Sequence, residues 1–150
     1  MYFQFTCVVK ISSCFLLFLL FMQSLCAQPK REVRAVWLTT IGGLDWPHNY
    51  SQQRLSMEKQ QQELRNILDK LQKAGINTIL FQTRIRGTVI YPSDYEPWDG
   101  CLSGFPGTSP GYDPLQFAID ECHNRGMAVQ AWLVSIPVGK WNGLGCKRLR

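Results

Sequence analysis

The feature that most constrains this chain is an alternation of strand-like and helix-like segments, in the order β-α-β-α-β. Val33-Arg34-Ala35-Val36-Trp37-Leu38-Thr39 is rich in β-branched and aromatic residues and reads as a strand. Between Ser56 and Ala74 the apolar residues Leu64, Ile67, Leu68, Leu71 and Ala74 recur at the helical period, so one stripe of a helix is apolar. Ser56 is the expected N-cap, and Gly75 can take the left-handed conformation that stops the helix. Asn77 to Arg84 reads as a second strand. Asp113-Pro114 combines a favoured N-cap with a favoured first helical residue and opens a second helix, which Gly126 ends. Met127 to Val134 is the third strand. From Ile85 to Tyr112 run 28 residues full of Gly, Pro, Ser and Asp with no periodicity, a length of irregular chain that is unusual unless it serves a function.

Strands that alternate with helices pair in parallel, with the helices packed outside. The sheet is then either open and doubly wound or closed as a barrel. A nucleotide-binding open sheet needs a Gly-rich turn directly between first strand and first helix. Here Gly42-Gly43 is followed by Leu44-Asp45-Trp46-Pro47 and the helix begins much later, which argues against that class.

Residues 1–27 have the layout of a secretory signal peptide. Lys10 is their only charge, Ile11 to Met22 is almost wholly apolar, and Ala27 offers a small residue for cleavage. That run is shorter than the roughly 20 residues a membrane span needs, so no stable membrane anchor is expected after cleavage. The remaining chain has 15 basic and 11 acidic residues, a formal charge of +4. The basic residues are scattered, apart from Lys147-Arg148-Leu149-Arg150, so no nucleic-acid partner is expected. Cys101, Cys122 and Cys146 lack the spacing of a zinc site, and an odd number cannot all pair; buried or free thiols are the expectation. His48 and His123 have no nearby nucleophile or second ligand. No metal and no cofactor is expected.

In a (β/α) barrel the site is built by the loops after the strands. The candidates for substrate binding are Asp45 and Trp46 after the first strand; Gln82, Arg84, Arg86 and Tyr91 on and after the second; and Trp132 on the third, with Gln130 and Trp141 near it. Ring faces suit the C–H faces of pyranoses, and carboxylates and guanidinium groups suit hydroxyls. Gln82 and Arg84 share one side of a strand; the alternative for Arg84 and Arg86 is structural pairing with carboxylates. Trp37 and Phe81 are expected in the core. A glycosidase needs two carboxylates about 5 Å or about 6.5–9.5 Å apart. Asp94, Glu96 and Asp99 read as solvated loop residues, Asp113 as a cap, and Asp120 and Glu121 as surface residues, so the catalytic acids remain unknown.

These blocks resemble the glycosyl hydrolase-like 10 family. Arg34-Ala35-Val36-Trp37-Leu38-Thr39-Thr40 with Leu44-Asp45-Trp46-Pro47 is similar to its start, and Gly75 to Gly87 to its second-strand block. Tyr91 to Trp98 and Pro110 to Leu115 are similar to the loop that follows, and Gln130-Ala131-Trp132-Leu133 to its third strand, where many members have His in place of Gln130. The resemblance implies an α/β fold, the first three strands and two helices of a (β/α)8 barrel, over residues 31–150. It implies an exported protein of the periplasm or cell envelope, and a glycoside hydrolase acting on a polysaccharide or a peptidoglycan glycan strand. The family's acidic block, Asp-Gly-x-x-x-Asp-Tyr, follows a fourth strand and is not met before Arg150. The expectation is therefore an N-terminal fragment that is inactive by itself; the alternative is a non-catalytic glycan-binding envelope protein on the same scaffold.

Overall fold

The computed structural model describes residues 32–137, so the signal-peptide reading, Trp141 and Cys146 lie outside the described residues. The order is β1 (Ala35–Leu38), a 3-10 turn (Ile41–Gly43), α1 (Arg54–Lys73), β2 (Thr78–Ile85), β3 (Thr88–Val89), α2 (Gly100–Ser103), α3 (Pro114–His123) and β4 (Ala128–Leu133). β2 is central and parallel to both β1 and β4, with Trp37, Leu80 and Gln130 in one row and Leu38, Phe81 and Ala131 in the next. β4 runs along one edge of β2; β1 and the short antiparallel β3 share the other, β1 against Thr78–Phe81 and β3 against Arg84–Ile85. The fold is mixed α/β with a partial, mainly parallel sheet.

Strand alternation divides the sheet into two unlike faces. Val36, Leu38, Ile79, Phe81 and Val129 point to the helices and join Leu64 and Leu68 of α1 and Ala118 and Cys122 of α3 in one core. The opposite face carries Ala35, Trp37, Ala128 and Gln130, all exposed. Trp37, expected in the core, is 58% exposed, because its neighbours Val36 and Leu38 take the helix side.

Both helix–strand junctions use one device. Gly75 (φ 80°) and Gly126 (φ 69°) adopt the left-handed conformation. Ile76 N–H then donates to the Leu71 carbonyl (3.0 Å), and Met127 N–H to that of Cys122 (2.9 Å). This closure satisfies carbonyls the helix leaves unpaired and turns the chain into the next strand. At the start of α3, Asp113 accepts from Leu115 N and Gln116 N with Pro114 following, as expected. At α1 the cap is Gln53 rather than Ser56. Ser56 lies one turn in, and its Oγ accepts from Gln53 N at 2.9 Å, so the same hydroxyl caps from inside the helix.

Between the helices runs an ion-pair chain. Arg65 Nε donates to Glu121 (2.8 Å), whose other oxygen accepts from Arg125 NH1 (2.7 Å), while Arg125 Nε donates to Asp69 (2.8 Å). Glu121, expected on the surface, thus joins α1 to α3. Burial works to raise its carboxyl, but the bonds from Arg125 and Arg65 outweigh that and hold it below the usual range.

The connection after β2 is not structureless. Arg86 (φ 56°) and Gly87 (φ 73°) form a two-residue turn with both central residues at positive φ, the geometry that suits a tight hairpin, and it returns the chain as β3. The one-turn helix α2 then buries Cys101, Leu102 and Ser103, with Asp99 as its cap. Elements of two and four residues are too short to show a period, which is why the pattern misses them. Cys101 and Cys122 are buried and unpaired. Burial raises both thiols, that of Cys122 to about 11, so neither is a ready nucleophile.

Candidate functional site

The C-terminal ends of the parallel strands bring together part of the expected set. Trp132 is the cross-strand partner of Gln82 and lies on the open side of the sheet. Its ring meets Trp37 edge to face, with centroids 4.7 Å apart. The two indoles therefore form an aromatic pair on a face that no helix covers among the described residues.

Gln82 stands at the end of the same face, because Phe81 before it points to the helices. The residue is only 1% exposed. Its Oε1 accepts from Thr39 Oγ1 at 2.6 Å and from the backbone N–H groups of Thr40 and Ile41, each at 3.0 Å. Thr40 Oγ1 donates to the Gln82 carbonyl at 3.1 Å. The chain leaving β1 is thus pinned onto β2. Asp45 serves the same turn, since its Oδ2 accepts from Thr39 N at 2.8 Å.

Arg84 is committed to structure. Its Nε donates to both Glu96 oxygens (2.9 and 2.7 Å), and its NH1 to the carbonyls of Val134 and Ser135 (2.6 and 3.1 Å). It ties the long connection to the end of β4. The hydrogen bond to Glu96 raises the Arg84 guanidinium and lowers the Glu96 carboxyl. Glu96, expected to be solvated, is the partner the sequence reading missed; no spacing signal marks a pair made by a loop folding back. Tyr91 is half-buried and close enough to Arg84 to interact with it electrostatically. Arg86 is half-buried at the hairpin tip, a left-handed position that non-glycine residues occupy at some energetic cost.

Trp46 is not at the surface. It is 0% exposed, packs against Phe81 and donates its indole N–H to the Gln60 carbonyl at 3.0 Å. A loop aromatic carries no sign of its direction in the sequence; a helix residue 14 positions away decides it. Gln60 itself was missed. It is fully buried, donates to the carbonyls of Asn49 (2.6 Å) and Leu102 (3.0 Å), and accepts from Tyr112 Oη (2.6 Å). One amide thus holds the first and second loops against α1.

The described carboxylates are mostly occupied. Asp45 holds the β1 turn, Glu96 holds Arg84, Asp113 caps α3, and Asp69 and Glu121 join the helices. Asp99 accepts from Cys101 N at 2.8 Å and from Thr88 Oγ1. Glu63 pairs with His48 Nδ1 and also accepts from His48 N, and this pairing raises the imidazole above its usual value of 6.5. A general acid in glycoside hydrolysis needs a raised carboxyl. Glu96 and Glu121 are shifted the other way.

Comparison with known proteins gives this sheet its family. The chain belongs to the glycosyl hydrolase-like 10 family, whose model matches residues 32–142. Among its relatives, "Glycosyl hydrolase DigH" of Escherichia coli (strain K12) is 45% identical over 109 residues, which is 70% of this chain and 25% of that protein. "Glycosyl hydrolase YngK" of Bacillus subtilis (strain 168) is 43% identical over 106 residues, 71% of this chain and 20% of that protein. The chain therefore spans a quarter or less of the length of these relatives.

Proposed function

We propose that these residues form the opening strands of a (β/α)8 barrel that hydrolyses O-glycosyl bonds in a polysaccharide, with bacterial envelope glycan as the substrate class. The reading rests on family membership, and one structural observation carries its geometry. Among the described residues the sheet face opposite the helices is open, and it ends in an aromatic pair, Trp37 and Trp132, near the C-terminal ends of the strands. In a closed barrel that face looks inward and its C-terminal end forms the mouth. Trp132 and Tyr91 offer ring surface there, and Arg86 and Asp45 offer polar groups. Arg84 acts by holding the loop that carries Tyr91, and Trp46 by filling the core beneath.

The catalytic acids come from other strands of the barrel in this reading, because the described carboxylates with raised burial already hold the fold together. The first three strands taken alone then bind at most weakly and do not turn substrate over. Export to the periplasm or envelope is part of the proposal and rests on the apolar stretch Ile11–Met22 behind Lys10.

The second reading, a non-catalytic glycan binder on the same scaffold, draws on the same occupied carboxylates. One experiment separates the two. The protein as its own gene produces it is incubated with peptidoglycan glycan strands stripped of peptides, and both pelleting and release of reducing ends are measured. Binding with release supports the hydrolase. Binding without release supports the binder. Absence of both, from a folded protein, contradicts the glycan reading.

A further inference from the structure

Gln82 holds more hydrogen-bonding capacity than the fold uses. Two backbone N–H groups, those of Thr40 and Ile41, point at one atom of its amide, and Thr39 Oγ1 adds a third contact at 2.6 Å. Backbone N–H groups only donate, so that atom is the oxygen, and the amide orientation follows from chemistry. The NH2 end must then face the other way. Among the described residues it meets no acceptor, although Gln82 is 1% exposed. No buried side-chain nitrogen or oxygen among the described residues lacks a partner. The nitrogen therefore reaches the surface, and the small exposed area of this residue lies there.

The location gives that nitrogen a use. Gln82 alternates with Phe81, which is in the helix-side core, and pairs across the strands with Trp132. Its free donors thus open toward the face that carries the Trp37–Trp132 pair. A side-chain donor that the fold leaves unused beside an aromatic pair is a place where a ligand's acceptor belongs.

We propose that Gln82 is a specificity residue of the glycan site, its amide NH2 donating to an acceptor oxygen of a pyranose that lies against Trp37 and Trp132. This rests on the glycan reading above and adds the group that sets the sugar's orientation. With its oxygen saturated, the amide offers donors only. It therefore selects a ring, hydroxyl or acetamido oxygen and discriminates against a sugar whose group at that point can only donate.

The test is Gln82→Glu. The carboxylate keeps an oxygen for Thr39, Thr40 and Ile41, so the turn stays pinned, but it puts an acceptor where the NH2 stood. The protein as its gene produces it is titrated with two oligosaccharide series, one N-acetylated and one unsubstituted, and thermal melting is recorded beside it. The expected result is a melting temperature within a few degrees of wild type and affinity weakened by about tenfold or more. A loss confined to the N-acetylated series identifies an acetamido oxygen as the acceptor; a loss in both identifies a ring or hydroxyl oxygen. Should the variant fail to fold, the Gln82 side-chain amide protons are followed by NMR in the wild type, where they are expected to shift on glycan binding. Unchanged affinity in a folded variant, or an amide signal that glycan does not move, overturns the inference while leaving the glycan reading intact. A folded wild type that binds neither series overturns both.

Discussion

The two faces of the sheet differ in kind. On the helix side, Leu38, Ile79 and Phe81 are buried against α1 and α3, and the polar groups around them are paired with each other. On the other side Trp37 stands exposed and the Gln82 amide keeps free donors. The same strands make both faces, and alternation sends every second residue to each. The helix face accounts for stability, and the open face holds what the helices do not need. An exposed indole packed against a half-buried one, beside amide donors the fold leaves unused, is a poor choice for a surface meant only to meet water.

The sharpest way to break this comparison is to truncate one residue from each face. Phe81→Ala empties a fully buried site between Trp46 and the helices, and a loss of about 3–5 kcal/mol is expected in urea denaturation. Trp132→Ala, at the strand end of the open face, is expected to stay within about 1 kcal/mol in the same assay while glycan binding falls. Comparable losses of stability at the two positions would remove the distinction.

A second test concerns the clamp behind the helix face. Glu121→Gln removes the charge that Arg65 and Arg125 share, and a loss of about 1–3 kcal/mol is expected. The Glu121 carboxyl lies below its ordinary value of 4.5 in the folded protein. Its contribution is therefore present above that value and is lost as pH falls through the depressed folded value. The stability of wild type and variant should converge in acid, separate as pH rises toward 4.5 and stay apart by a constant amount above it. A gap that stays constant across that range would show that Glu121 acts through packing.

The smallest expected effect lies at the helix ends. Gly75→Ala and Gly126→Ala each force a side chain into the left-handed region, at about 1 kcal/mol each. Neither change is expected to alter glycan affinity beyond what unfolding removes. A ligand effect at either glycine would mean that the junctions, at the opposite ends of the strands from the tryptophan pair, also shape the open face.

These tests also mark what could be read without a structure. Apolar period in the helices and β-branched or aromatic content in the strands located β1, α1, β2, α3 and β4, and Asp113 and the two terminating glycines are local signals. Which way a loop residue faces is not a local property. Trp46 and Asp45 are adjacent in the chain, yet one is in the core on the Gln60 carbonyl and the other holds the turn after β1. Arg84 was rightly placed at the strand end, but its partner Glu96 lies 12 residues on, in a segment whose pattern announces nothing. Trp37 reads as core by composition, and its exposure follows from parity once Val36 and Leu38 are assigned to the helices.

The open face, at its strand-end tryptophans, is the proposed glycan site. Its most direct test is a fluorescence titration of the protein, as its gene produces it, with glycan oligosaccharides, repeated in Trp46→Phe and in Trp132→Phe. The expected result is a saturable change in tryptophan emission that survives Trp46→Phe with unchanged midpoint and is weakened or lost in Trp132→Phe. A change that persists at the same midpoint in Trp132→Phe would contradict it.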